Sequence, residues 1–259
     1  MKCKCIGLIN QKGGVAKTTS TYNLAAAKAY EFSKDSSDKK ILMIDLDPQS
    51  SLTIAAGIEP NEERLEGHST CDLFEPKLDP LDAVFSVKAS GLENLFIVPS
   101  DITLAETEIK LITKLYGSEN VLKKAINKLE PYFDYIFIDC PPQLGRLTIN
   151  ALVAASEIII PCPADYLPYR GLNALINTVE QIKEINPNIT INGIIVTLFE
   201  SNIKDQQSIY EMLSEKAPIL GTIRKSTDVK RNTVSGQPVV LAMPNVKTSI
   251  EYKEIAKKI

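Results

Sequence analysis

The stretch from Ile6 to Ala29 constrains this chain most. Ile6-Gly7-Leu8-Ile9 is a short apolar run, β-branched at both ends, and reads as a buried strand. A loop follows, Asn10-Gln11-Lys12-Gly13-Gly14-Val15-Ala16-Lys17-Thr18-Thr19. Beyond it come helix formers with Leu24, Ala25 and Ala27 to Ala29 as an apolar stripe. Strand, glycine loop, Lys-Thr, helix is the layout of a phosphate cradle, in which N–H groups of the loop and first helical turn point at phosphates. Gly13 and Gly14 let the backbone come close. Lys17 supplies a point charge at the β/γ-phosphates, and Thr18 offers a hydroxyl to Mg²⁺. The ordinary form of this loop has glycine at positions 11 and 16, where this chain has Gln11 and Ala16. It has instead a second lysine, Lys12, at the loop entrance.

Two further strands end in acid. Ile41-Leu42-Met43-Ile44 runs into Asp45-Leu46-Asp47-Pro48, and Tyr135-Ile136-Phe137-Ile138 into Asp139-Cys140-Pro141-Pro142. Carboxylates at C-terminal strand ends sit where open α/β sheets bind ligands. A buried strand that ends in carboxylates needs a cation, a hydrogen-bond network or water beside it. Magnesium held with a nucleotide supplies the first. Pro48 turns the chain away, and the Pro-Pro pair sets a loop beside the phosphates.

Elsewhere, strands are expected at 95–99, 157–161, 191–198 and around 219–223. Helices are expected at 102–115 (apolar at Leu104, Ile109, Leu111, Ile112 and Leu115), 121–129, 171–185 and 206–213. A last helix is capped by Thr248 or Ser249, short helices lie at 70–74 and 81–87, and loops at 31–40 and 163–170. Solid apolar strands alternating with helices predict an α/β fold, a mostly parallel twisted sheet covered by helices on both faces. At 259 residues one domain over 1–259 is the simplest expectation. No apolar run is long enough for a bilayer and no leader-like segment opens the chain, so a cytoplasmic protein is expected. Five scattered cysteines and a lone His68 lack metal-ligand spacing and fit reduced thiols. Net charge is −3, which argues against a basic nucleic-acid binder by charge alone. Yet from residue 221 onward eight Lys/Arg face three Asp/Glu. Such a segment is either a polyanion-binding face or solvated charge on helices.

With these segments in place, the chain resembles the ParA/MinD family of ATPases with a deviant Walker A loop, and above all the ParA-type partition ATPases. The resemblance rests on Asn10 to Thr19, Ile44 to Gln49, Tyr135 to Pro142, Gly236-Gln237-Pro238-Val239 and the closing helix Glu251 to Ala256. It implies an ATP- and Mg²⁺-dependent hydrolase with a slow intrinsic rate. Lys12, Gly13, Gly14, Val15, Ala16, Lys17, Thr18 and Thr19 would bind ATP. Lys12 would reach the nucleotide of a partner subunit in an ATP-bound sandwich homodimer, Asp47 would orient the attacking water, and Thr18, Asp45 and Asp139 would form the metal shell. The dimer would bind double-stranded DNA without sequence preference through Arg224, Lys225, Lys230 and Arg231, with Lys253, Lys257 and Lys258 secondary. A ParB-like centromere-binding protein would stimulate hydrolysis, and the protein would be nucleoid-associated. The chain departs from the family at Ala16, where glycine is usual; a methyl there is expected to be tolerated at negative φ. The family's late Ile-Pro-Arg reads Ile223-Arg224-Lys225 here. The alternative is a MinD-like ATPase acting on a membrane or protein surface. No stable membrane anchor is expected, because the chain stops at Ile259 inside what reads as its last core helix. An iron–sulfur ATPase would need cysteines in a glycine-rich loop, which Cys140 and Cys162 lack. Nothing in 143–200 suggests the dedicated pocket of a metabolic ligase.

Overall fold

In the computed structural model, which describes residues 3–60, 65, 67–75, 78–228 and 236–259, the strands form one eight-stranded sheet. They are β1 Lys4–Leu8, β2 Ile41–Asp45, β3 Phe85–Ser86, β4 Leu95–Val98, β5 Tyr135–Asp139, β6 Glu157–Pro163, β7 Thr190–Phe199 and β8 Ile219–Arg224. Their order is β3-β4-β2-β5-β1-β6-β7-β8. Only the β3–β4 pair is antiparallel; all the other pairs are parallel. The chain leaves β1 for β2 on one side and later builds β6, β7 and β8 on the other. The crevice where the order reverses lies at the C-terminal end of β1, the place where such sheets bind ligands.

Side-chain alternation splits the core in two. Ile6, Leu8, Tyr135 and Phe137 pack with Leu24 and Ala25 of α1 (Lys17–Lys34), Leu52 of α2 (Ser51–Ala55), and Tyr252 of the final helix Lys247–Ala256. Ile9, Ile136 and Ile138 pack on the other face. There they meet Leu104 of α3 (Leu104–Thr113), Leu122 of α4 (Val121–Leu129), Leu147 of α5 (Arg146–Ala154), Leu172 of α6 (Tyr166–Ile182) and Leu213 of α7 (Lys204–Ser214). β2 and β5 are buried along their whole length, which is why they read as unbroken apolar runs. Burying each such Leu, Ile or Phe stabilises the fold by roughly 1.5–3 kcal/mol.

Several expectations are corrected. The 163–170 loop is cut short: α6 begins at Tyr166, because Asp165 caps it by accepting from the Leu167 N–H and Pro168 sits in the first turn, where no N–H is needed. The helix expected at 102–115 spans Leu104–Thr113 with only Leu104, Thr107 and Leu111 buried; Ile109, Ile112 and Leu115 face outward. Residues 81–87 hold a 3₁₀ turn, Pro80–Ala83, and then β3. α1 continues to Lys34, one turn into the expected loop. Thr248 and Ser249 lie inside the final helix, and the Ser249 hydroxyl donates instead to the carbonyls of Val239 and Met243. No helix among the described residues is long and apolar enough to cross a membrane.

Candidate functional site: a phosphate cleft at the sheet edge

The loop from Asn10 to Thr19 bridges β1 and α1. Buried Asn10 anchors its start, donating to the Pro161 carbonyl (2.8 Å) and accepting from the Lys12 N–H (3.0 Å). Thr197 of β7 holds its middle, its hydroxyl donating to the Val15 carbonyl at 3.0 Å. Lys17 is buried and its amine spans the loop to the Lys12 carbonyl at 3.0 Å. Burial lowers the Lys17 pKa, while Asp139, Cys140 and Asp47 act in the opposite direction. Gly14 has φ +74°, as a tight loop of this kind requires. Ala16 overturns the expected negative φ: it is left-handed at φ +65°, the conformation glycine takes without penalty. This geometry accounts for glycine being usual at that place.

The acidic strand ends come together. Asp45 and Asp139 are register partners on adjacent strands, both fully buried. Both carboxyls are pushed above the ordinary range, chiefly by burial; Asp139 is raised further by the charge of Asp45. Their surroundings differ. Asp45 Oδ2 accepts from the N–H and hydroxyl of Thr53 (2.8 and 2.7 Å) and its Oδ1 from the Asp47 N–H (3.2 Å), so this expected metal ligand is already engaged by its own chain. Asp139 Oδ1 accepts from the Thr21 hydroxyl at 3.2 Å and the nearby Thr18 hydroxyl favours its charged form, but Oδ2 is a buried oxygen with no hydrogen-bond partner. An orphaned carboxylate oxygen beside the Thr18 hydroxyl suits a hard divalent cation with oxygen ligands, so the donors fit Mg²⁺.

Gly13, Gly14, Ala16, Lys17, Thr18 and Thr19 form one wall of a cleft of about 360 Å³, with Asp47 and Pro142 at its edge. Gln237-Pro238-Val239 forms another part of its wall. α1 fixes that wall: the Tyr22 hydroxyl donates to the Gly236 carbonyl (2.9 Å), and Asn23 accepts from the Val240 N–H (3.1 Å). In the sequence the Gly-Gln-Pro-Val stretch carries family resemblance but no sign of a role at the site. Tyr22 and Asn23 carried no signal beyond their place on the helix that follows the loop. Lys12 is not among the cleft-lining residues. Its amine lies outside, 3.8 Å from an Asp165 carboxylate oxygen, with both side chains well exposed. Of the basic residues, Arg224 is gripped by Glu251 through its Nε and a terminal nitrogen, each at 2.7 Å, and Lys225 pairs with Glu200 at 3.5 Å. Lys253 donates to the Pro244 carbonyl, Lys257 pairs with Glu254 and Lys258 donates to the Leu220 carbonyl. Lys230 and Arg231 lie outside the described residues. All five cysteines are free thiols, and His68 is exposed.

Comparison with known proteins matches residues 3–191 to the family described as AAA domain. The chain is 33% identical over 260 residues to the sporulation initiation inhibitor protein Soj of Bacillus subtilis, covering 99% of this chain and 98% of that one. It is 33% identical over 212 residues to the chromosome-partitioning ATPase Soj of Treponema pallidum, covering 82% and 78%. Among solved structures, apo McdA from Cyanothece superposes with a TM-score of 0.84 at 26% identity, covering 99% and 98%. A putative plasmid partition protein from Borrelia burgdorferi bound to AMPPNP gives 0.80 at 26%, covering 99% and 98%. Cobyrinic acid a,c-diamide synthase from Mycobacterium smegmatis with ADP and magnesium gives 0.78 at 28%, covering 98% and 93%.

Proposed function

Because the chain belongs to the Soj/ParA family of P-loop ATPases, we propose that it is a partition ATPase. Its ATP-bound form pairs with a second copy and holds double-stranded DNA without sequence preference. It lets go after hydrolysis stimulated by a ParB-like, centromere-binding partner. ATP and Mg²⁺ are its cofactors, and residues 1–259 act as one nucleoid-associated ATPase unit.

The observation that carries the reading is the separation of the two loop lysines. Lys17 is buried inside the loop, within the cleft that would receive the phosphates. Lys12 holds the loop together by its backbone, yet its amine stands exposed outside that cleft. A second copy facing the same sheet edge would present its nucleotide to this Lys12, a charge supplied in trans as an arginine finger is. Within one subunit the loop N–H groups and Lys17 neutralise phosphate charge, and Asp47 at the cleft edge orients the attacking water. Thr18 and Asp139 would hold Mg²⁺, which when bound neutralises charge on the phosphate oxygens. Positioning and charge stabilisation carry the rate, since phosphoryl transfer asks little covalent chemistry of the protein. DNA phosphates would displace Glu251 from Arg224 and Glu200 from Lys225, and two copies sum their cations on one duplex.

Lys12→Ala and Lys17→Ala separate the two roles. Lys17→Ala is expected to abolish ATP binding. Lys12→Ala is expected to retain ATP binding but to lose the ATP-dependent dimer in analytical ultracentrifugation, with turnover down about 10³-fold or more. Normal turnover by Lys12→Ala would contradict the sandwich mechanism.

A further inference from the structure

Asp47 sits in the five-residue loop 46–50 between β2 and α2, with Pro48 half-buried and Gln49 exposed. Its own side chain is tied only locally, Oδ1 accepting from the Gln49 N–H at 2.9 Å. What holds its backbone is a closed ring of hydrogen bonds drawn from three separate segments. The Thr53 hydroxyl, on α2, donates to Asp45 Oδ2 at 2.7 Å and accepts from the Ser100 N–H at 2.8 Å. The Ser100 hydroxyl, just past β4, donates to the Asp47 carbonyl at 2.9 Å. The Asp47 N–H donates to Asp45 Oδ1 at 3.2 Å, which closes the ring. Every hydroxyl in it is used once as donor; Ser100 donates into both arms, one through Thr53 and one through Asp47, and Asp45 accepts at the end of each. Asp45, Thr53 and Ser100 are each 0% exposed, so water cannot replace a lost member without entering the core.

We propose that Thr53 and Ser100 are positioning residues for Asp47, locking its peptide units so that its carboxylate is held at the edge of the phosphate cleft. The inference rests on the reading of Asp47 as the residue that orients the attacking water. It gives the buried Asp45 a task as well. With its oxygens taken up by Thr53 and Asp47, Asp45 is the hub that transmits the rigidity of β2 and α2 to the loop. Thr70 adds a fourth tie, its hydroxyl donating to the Asp45 carbonyl at 2.8 Å. The physical ground is that a displacement of about 1 Å in a catalytic group costs up to about 100-fold in rate, while ground-state binding is scarcely touched. ATP would be held by the loop 13–19 and face the 237–239 wall, neither of which belongs to the ring, so a ring defect should separate turnover from affinity.

The test is steady-state Mg-ATP hydrolysis by Thr53→Val, Thr53→Ser and Ser100→Ala beside the wild type and Asp47→Ala, with thermal unfolding of each. Thr53→Val keeps the branched shape and removes the hydroxyl; Ser100→Ala removes one hydroxyl and leaves the N–H donor in place. The expected result is a kcat lower by about 10- to 100-fold in Thr53→Val and Ser100→Ala, with KM for ATP within about 3-fold of wild type. Thr53→Ser should recover most of the lost rate. Wild-type kcat in Ser100→Ala, with Asp47→Ala inactive, overturns the ring alone. A Thr53→Ser variant as slow as Thr53→Val, with KM raised in step, also overturns it, because that pattern is a general loss of structure. Wild-type turnover by Asp47→Ala would overturn the reading of Asp47 itself.

Discussion

Replacing Ala16 with glycine should strengthen this protein. Ala16 is the residue before α1, with φ +65° and ψ 32° and no side-chain acceptor to cap the helix. A left-handed backbone costs an L-residue about 1–2 kcal/mol. Glycine removes that cost but brings extra freedom to the unfolded chain, worth about 0.4–1 kcal/mol in the other direction. The balance is a gain of about 0.5–1 kcal/mol. For a chain of this length a kilocalorie moves Tm by about 2–4 °C, so the midpoint should rise by about 1–4 °C. Ala16→Val sharpens the test. A β-branched side chain in the left-handed region is a severe outlier, and that variant should lose more than about 1 kcal/mol. Thermal unfolding of both variants without nucleotide reads the difference, and ATP affinity of the glycine variant should stay within about 3-fold because Lys17 and Thr18 are unchanged. A lower midpoint for Ala16→Gly, or equal shifts in the same direction for both variants, would refute the reasoning.

Asp139 gives a pH dependence of definite sign. Burial first, and then the charge of Asp45, raise its carboxyl from 3.8 to about 8. The folded state therefore binds the proton more tightly than the unfolded one. The associated stability is fully present below about pH 4 and is lost as pH rises toward 8. In chelator, the wild type should lose stability as pH rises from about 5 to about 8, and Asp139→Asn should lack that part of the loss; an unchanged slope in the variant would rule Asp139 out as its source. Tyr22→Phe removes the hydrogen bond that fixes the Gly236 carbonyl. It should weaken ATP binding by about 3- to 10-fold, in line with about 1 kcal/mol for one such bond, as read by fluorescent-nucleotide titration. If Arg224 and Lys225 meet phosphates, replacing either with Ala should flatten the salt dependence of DNA binding by about 0.9 for each phosphate left without its cation. An unchanged slope would exclude that residue.

The sheet was legible because its strands are buried on both faces. Runs such as Ile41–Ile44 and Tyr135–Ile138 leave no other use for so much apolar surface, and the carboxylates that end them mark the ligand edge in the sequence itself. The phosphate loop was legible because its chemistry demands glycines, lysines and a hydroxyl at fixed spacing. What escaped was set by tertiary contact. The spacing of Ile109, Ile112 and Leu115 suits a core stripe, yet α3 turns only Leu104, Thr107 and Leu111 inward. α5, Arg146–Ala154, follows a Pro-Pro loop and has glycine rather than a capping side chain before it, so no start signal announced it. Asp45 and Asp139 looked equivalent in sequence; only the placement of Thr53 beside one of them separates a satisfied carboxylate from an orphaned one. Ala16 carries its strain silently, because a backbone angle leaves no mark on residue type.

Binding of the Asp47→Ala protein to random-sequence duplex DNA, compared in Mg-ATP and Mg-ADP at two salt concentrations, tests the central claim most directly. The account predicts tight, salt-sensitive binding in ATP and little in ADP. An ATP-bound dimer that ignores DNA would contradict it and assign the same switch to a membrane or protein surface, as in a MinD-like positioning ATPase.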